Sequence, residues 1–238
     1  VNVLILQHYA NEGPGTIGSF FSSRRVGTKI IRLCDGVGIP SNALEYDAII
    51  SMGGPMNVYE EDQYPFLREE TSLLKKAISL RIPILGVCLG AQMIAKAAGA
   101  RVVKSPKEEV GWFDVEFTQL GRSDRLLIGL PNQLEVFQWH GDMFEIPVGG
   151  GLLATSRSCP HQALKFGSAY GLQFHVEVTR EMLGEWFAQD PRKDLILDRM
   201  DKVERQFLSC ANTIFGNFLK LVSVYHSTHT ASHGGCCC

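Results

Sequence analysis

What this sequence has little of narrows it first. Its 238 residues carry Lys+Arg 23 against Asp+Glu 25, a formal charge of −2, and no basic block. Nucleic-acid binders and polybasic membrane-surface proteins concentrate positive charge on one face or tail, so neither kind of partner is expected. Uncharged runs are short of the ~20 apolar residues that cross a bilayer. The run at residues 82–95, for example, is broken by Gly86, Gly90 and Gln92. The first residues show no basic lead-in and no small-residue cleavage site, so no signal peptide is expected. No internal repeat and no Gly-, Ser- or Pro-rich linker divides the chain, which favours one domain. Cysteine is neither dense nor even. There are 7, with Cys34, Cys88, Cys159 and Cys210 scattered and Cys236, Cys237 and Cys238 bunched at the end. A secreted disulfide framework looks different. With 45% hydrophobic and 20% charged residues, the chain reads as a soluble, globular protein of the cytoplasm.

What is present is an alternation of strand and helix. Residues 3–6, 29–33, 47–51 and 84–87 are short runs, apolar on both faces, each followed by Gly, Pro or polar residues. Strands covered by helices on both sides need that pattern. Phe66, Leu67, Leu73, Leu74, Ala77 and Ile78 recur at helical spacing across 66–80, and a small-residue helix over 89–98 stops at Gly99. This succession predicts an α/β fold, a doubly wound and mostly parallel sheet with helices on both faces. Ligands of such a sheet bind beyond the carboxyl ends of its strands. Strand-like runs at 110–117, 134–139, 152–155, 163–166 and 170–175 follow with short connections, read as an antiparallel extension of the same sheet. Helical patterning returns over 179–188 and from 193 to about 222. The domain is therefore expected at 1–222, and residues 223–238 as a disordered tail containing His and Cys. That tail could capture a metal opportunistically but has nothing to impose a coordination geometry.

The sharpest local feature is Gly86-Val87-Cys88-Leu89-Gly90-Ala91-Gln92, where a buried strand runs straight into a helix. It is the thiol counterpart of the Gly-x-Ser-x-Gly elbow: a tight turn that lifts the sulfur to the sheet edge and to a helix N-terminus. An unpaired cysteine is more often a small core hydrophobe; the two flanking glycines at a strand-to-helix junction reverse that expectation. A thiolate nucleophile wants a histidine steadied by a third group. In Gln173-Phe174-His175-Val176-Glu177, His175 and Glu177 are two apart and face the same side of extended chain. His8 follows the first strand and could line the same edge. Gly53-Gly54-Pro55 could present a backbone N–H to a developing oxyanion, although alone it is only a turn signal. Gln138-Trp139-His140-Gly141-Asp142 is read as a strand end opening into a substrate-binding loop, with an ordinary β-turn as the plainer reading.

Taken together, these motifs resemble the class I, triad-type glutamine amidotransferase family. The cysteine elbow is similar to its nucleophile motif, His175-Val176-Glu177 to its His-x-Glu motif, Gly53-Gly54-Pro55 to its oxyanion loop. His140-Gly141-Asp142 is similar to the Ser-His-Gly-Asp segment of GMP synthase-type members. The four stand in the family's order across roughly residues 1–190. Val176 departs from the family's usual Pro, and Trp139 from Ser. The resemblance implies a flavodoxin-like single domain and a glutaminase chemistry without cofactor or metal. In it, Cys88 is the nucleophile, His175 the acid and base, and Glu177 its orienting group. Gly54 and Leu89 supply the oxyanion hole, while Gln92, Trp139, Gly141 and Asp142 hold L-glutamine.

No ATP-pyrophosphatase segment with a Ser-Gly-Gly phosphate loop and no Walker-type loop occurs in the 238 residues. A separate ammonia-accepting synthetase subunit is therefore one expected partner. The alternatives are a stand-alone γ-glutamyl peptidase or hydrolase, and a non-enzymatic binding module on the same fold. A related peptidase superfamily commonly places His directly after the elbow Cys; Leu89 stands there instead.

Overall fold

A computed structural model describes residues 1–231. The first apolar run folds as strand β1, Asn2–Gln7, and its alternate residues enter different cores: Val3 and Ile5 on one side, Leu4 and Leu6 on the other. A strand apolar at every position is satisfied only between two helical layers. The neighbouring strands β2 (Gly27–Arg32), β3 (Ala48–Ser51) and β4 (Ile84–Val87) lie parallel to it. On one face pack α1 (Gly15–Ser23) and the long α6 (Lys193–Ala231), through Ile17, Phe20, Phe21, Ile214, Phe215 and Phe218. On the other pack α2 (Phe66–Ser79) and α3 (Leu89–Ala97), through Leu67, Leu74, Met93 and Ile94.

The second half extends the same sheet. β5 (Val102–Phe117), β6 (Gln133–Phe144), β7 (Gly151–Thr155), β8 (Ala163–Phe166) and β9 (Ala169–Leu172) complete nine strands in the order β2-β1-β3-β4-β9-β8-β7-β5-β6. β9 lies parallel beside β4, and beyond it every pairing is antiparallel. The expected doubly wound, mixed α/β sheet is thus present, with its antiparallel extension on the β9 side. A third apolar cluster gathers α5 (Arg180–Trp186) and the start of α6 on Phe137.

Several boundaries differ from expectation. α1 and the short α4 (Gln119–Ser123) were not expected; α1 is built of Gly, Ser and Phe, whose weak helix propensity is overridden by burial of Ile17, Phe20 and Phe21. β6 runs on to Phe144, so residues 138–142 lie in a strand paired with β5, not in a loop. β9 stops at Leu172, short of residue 175, and His175 follows in a single bridge to Phe137. α6 continues through residues 223–231, where a disordered tail was expected to begin. The extra turns have partners: the Nδ1 atom of His226 lies 2.7 Å from Oδ1 of Asp47, and Tyr225 stacks on His229 with centroids 3.9 Å apart. Residues 232–238, with His233 and the three terminal cysteines, lie outside the described residues. By length and composition α6 is apolar enough to cross a membrane. Its apolar stripe, however, is buried on the sheet, from Cys210 through Phe218 to Val222.

Candidate functional site

The carboxyl ends of β1, β3, β4 and β9 meet at one edge, and each delivers a group there. Cys88 sits between β4 and α3 with φ 50° and ψ −106°, one of three non-glycine residues at positive φ among the described residues. Such a conformation costs of order 1–3 kcal/mol and persists only when its surroundings over-determine it. They do so here. The backbone N–H of Cys88 donates to Leu172 O at 2.8 Å, and Gly90 N–H donates to Met52 O at 3.1 Å. A Cβ on Gly90 would run into the carbonyl of Ser51, and one on Gly86 would run into Gly90, so both glycines are there for close approach.

His175 is anchored from behind. Its N–H donates to Phe137 O at 2.8 Å, and its ring Nδ1 lies 2.7 Å from Oε1 of Glu177. Glu177 Oε2 accepts the N–H of Val176 at 3.0 Å, while Phe174 and Val176 point into the core. Nδ1–H is thereby committed to the carboxylate, leaving Nε2 free for the reaction; Cys88 and His175 meet at Gly53, while the Cys88 sulfur has Trp139 O and Gln173 Nε2 each at 3.7 Å. Complete burial opposes the imidazolium, but the Glu177 carboxylate and the Cys88 sulfur outweigh it and hold His175 well above its ordinary value. α1 braces this segment. Thr16 N–H donates to Glu177 O at 2.9 Å, and Gly15 lies so close to that carbonyl that no side chain would fit.

Above these residues opens a cavity of about 430 Å³. Eight of the nine sequence-predicted site residues line it: Gly54, Cys88, Leu89, Gln92, Trp139, Gly141, Asp142 and His175; Glu177 stands behind His175. Among the described residues the backbone N–H groups of Gly54 and Leu89 have no acceptor, and both residues line the cavity. Gln92 Nε2 donates to Asp142 O at 3.2 Å and to Gln173 Oε1 at 3.3 Å, which ties α3 to β6. Asp142 accepts from the Tyr59 hydroxyl at 3.0 Å and has Lys104 Nζ 2.6 Å from its other oxygen, as an ion-pair contact. Trp139 is 39% exposed and packs on Phe187 and Trp186 at centroid distances of 4.6 and 5.7 Å.

Sequence reasoning missed four further contributors. Glu12, in the β1–α1 connection, lines the cavity near Gly53 and His175. Its carboxyl is pushed above the ordinary value by burial, with the charge of His175 opposing. Trp186 forms an edge contact with the His175 ring, centroids 5.4 Å apart. Ser51 and Glu70 join His8 in a fully buried chain beneath the Gly53-Gly54 loop. No local motif announces any of them, because their partners come from other elements. A second Cys-His-Glu set, Glu109, His140 and Cys159, clusters beside the cavity with potential metal-ligating atoms within 4.8 Å of one another. Their polar atoms are occupied by the protein: Glu109 binds His140 at 3.0 Å, Ser156 at 2.8 Å and Gln162 at 2.6 Å. Cys159 is fully buried and burial pushes its thiol up, the opposite of a reactive thiolate.

An elbow cysteine beside a bonded histidine and acid pair, with two backbone N–H groups that meet no acceptor, has the parts that acyl transfer from a carbonyl or carboxamide requires. Residues 20–190 match the family Glutamine amidotransferase class-I, and the chain belongs to that family. It is 32% identical over 199 residues to the glutamine amidotransferase-like protein YfeJ of Salmonella typhimurium, covering 82% of this chain and 83% of that one. A crystal structure of a glutamine amidotransferase from Thermotoga maritima superposes with TM-score 0.85 at 30% identity, over 93% of this chain and 98% of that one. The glutamine-hydrolysing GMP synthase of Thermosipho africanus is 38% identical over 141 residues, 58% of this chain but 25% of the synthase. The chain therefore corresponds to about a quarter of that larger enzyme's length.

Proposed function

We propose that the chain hydrolyses the side-chain carboxamide of L-glutamine through a γ-glutamyl thioester on Cys88, releasing ammonia. The observation that supports this reading is the grouping of Cys88 beside the bonded pair His175–Glu177 at a cavity that Gly54 and Leu89 also line. The Cys88 sulfur attacks the carboxamide carbon and a tetrahedral oxyanion forms between those two donors. The imidazolium of His175 gives its Nε2 proton to the departing nitrogen, so ammonia leaves and the thioester remains. Neutral His175 then takes a proton from water, which attacks the thioester and frees glutamate. Glu177 keeps the ring in the tautomer both steps need. Gln92, Trp139, Gly141 and Asp142 hold the α-amino and α-carboxylate ends, with Lys104 and Tyr59 fixing the Asp142 carboxylate at the wall.

The cavity's volume supports a second reading. About 430 Å³ falls in the range that accepts drug-sized ligands, and the exposed Trp139 offers an apolar wall. A γ-glutamyl amide larger than glutamine fits the same chemistry without a synthetase partner. In either case the site needs reduced thiols, and the four described cysteines are all free, as suits the cytoplasm.

The deciding experiment is ammonia release from L-glutamine by the purified chain, beside a panel of γ-glutamyl amides. Wild type turns over and Cys88→Ala does not. Turnover surviving in Cys88→Ala, or wild type inert toward the whole panel, would sink the proposal. A kcat/KM at least tenfold higher for a larger γ-glutamyl amide would select the second reading.

A further inference from the structure

The N–H of Gly54 and the carbonyl of Gly53 belong to one peptide unit, so whatever binds the carbonyl acts on the N–H as well. Gly53 O faces Nδ1 of His8 at 3.2 Å. The other ring nitrogen, Nε2, lies 2.6 Å from Oε2 of Glu70, whose Oε1 accepts the Ser51 hydroxyl at 2.6 Å. His8, Glu70 and Ser51 are each 0% exposed. None of them lines the cavity; the group sits behind the loop, between the end of β1 and α2.

With Glu70 ionised, the geometry favours a ring protonated on both nitrogens. Both ring nitrogens of His8 face oxygen acceptors, a carbonyl and a carboxylate. A neutral ring carries one N–H and would leave a lone pair aimed at the other oxygen. In a fully buried site that arrangement is costly. An imidazolium donates in both directions and satisfies every atom. The charged groups around it agree. Glu70 on α2 and Glu12 in the β1–α1 connection both favour the cation, while Phe66, 6.0 Å away, is neutral. Burial works against the charge, yet the neighbouring carboxylates and the Gly53 carbonyl hold His8 above its ordinary value.

Resting on the glutaminase reading, we infer that His8 is a positioning residue of the oxyanion hole: a buried imidazolium that holds the Gly53-Gly54 peptide and polarises it from behind. A donor on the carbonyl draws electron density along the peptide and makes the Gly54 N–H a stronger donor toward the substrate oxygen. Linked hydrogen bonds reinforce one another in this way, most of all at low dielectric. The loop also has little room to take up another position. A Cβ on Gly54 would fall within 3.0 Å of the Met56 sulfur, Leu89 and the Cβ of His8 itself. The benefit appears only when negative charge develops on the oxygen, so it belongs to kcat and not to KM.

Two variants test this, with the ring read directly by ¹⁵N NMR. Glu70→Gln keeps the shape and can keep the hydrogen bonds while removing the counter-charge; His8→Asn keeps one uncharged donor near Nδ1. In wild type both His8 nitrogens carry protons at neutral pH. In Glu70→Gln the ring becomes neutral, and kcat for glutamine falls about tenfold with KM within twofold. His8→Asn falls further, by about 30-fold, again in kcat. Alkylation of Cys88 by iodoacetamide, a displacement with no oxyanion, proceeds at the wild-type rate in both, which shows that the elbow is intact. A neutral His8 in wild type overturns the inference whatever the turnover. So does an unchanged kcat in both variants, or a loss carried in KM or in alkylation. Wild type that hydrolyses no γ-glutamyl amide sinks the glutaminase reading instead, and the two failures are therefore distinguishable.

Discussion

Glu177 shows how much one charge does at this edge. Its carboxylate lies 2.7 Å from Nδ1 of His175 and raises that imidazole above its ordinary value against the opposing effect of burial. Glu177→Gln preserves the shape and an acceptor for Nδ1–H but removes the charge. The sign follows from the raised value: wild-type His175 remains an acid until pH climbs through that value, so loss of this acid shows on the alkaline side. In Glu177→Gln the imidazole titrates closer to its ordinary value. The alkaline limb of kcat/KM should then move to lower pH, and kcat at neutral pH should drop about 100-fold, within the range attributed to general acid–base catalysis. A pH–rate series with an NMR titration of His175 checks both; an unmoved limb would show that Glu177 only orients. Cys88, His175 and Glu177 were legible in sequence because each lies in a short motif whose spacing carries its geometry. Glu12 was not, and of His8 only its place near the edge was. His8 acquires its meaning from Gly53 and Glu70, 45 and 62 positions away, and a lone buried acid such as Glu12 has no local signature.

At the scale of elements, the short strands and the two helices beside the elbow were legible because a period of two or of 3.6 survives in the sequence. The sheet's far side was less so. Gln138 to Asp142 contain polar groups and a glycine, which read as a strand end opening into a loop, yet they extend β6 because β5 pairs with them as far as Lys104↔Asp142 across a bulge. Tertiary pairing overrode local propensity. α6 outran its expected end for a similar reason, since Tyr225 and His226 find partners on the body of the protein. The same helix holds a loop in place through one residue. Asn217, 5% exposed, donates from Nδ2 to Leu126 O at 3.1 Å and to Ile128 O at 2.8 Å. Asn217→Ala leaves both bonds unmade near the core and should destabilise by about 1–3 kcal/mol. Urea unfolding should show the loss as a lower midpoint at unchanged slope; a midpoint equal to wild type would mean that water replaces the amide.

For the molecule as a whole, the groups that build the site also set its stability against pH. His8 and His175 are buried with values raised above the ordinary 6.5, and Glu12 is raised above its ordinary 4.5. In each case the folded chain holds protons that the unfolded chain has already released. The slope of unfolding free energy with pH follows protons bound unfolded minus folded, which is negative here. The contribution of the two histidines is complete below their unfolded value and is lost as pH rises through the folded ones; Glu12 costs stability as pH rises above its own unfolded value. The buried Cys159 and Tyr170, both raised by burial, extend the penalty further into alkali. On the acid side, Asp190 is held at about 2 by Arg192, but this pair lies in solvent and is screened. The expected profile is therefore asymmetric, with the melting temperature falling from about pH 6 toward pH 9. Glu70→Gln, by neutralising His8 in the folded state, should flatten that slope while lowering stability at pH 6. Calorimetric melts of both proteins across the range measure it. A wild-type melting temperature that rises toward pH 9, or a Glu70→Gln slope parallel to wild type, would mean that these buried protons are not held as the geometry requires.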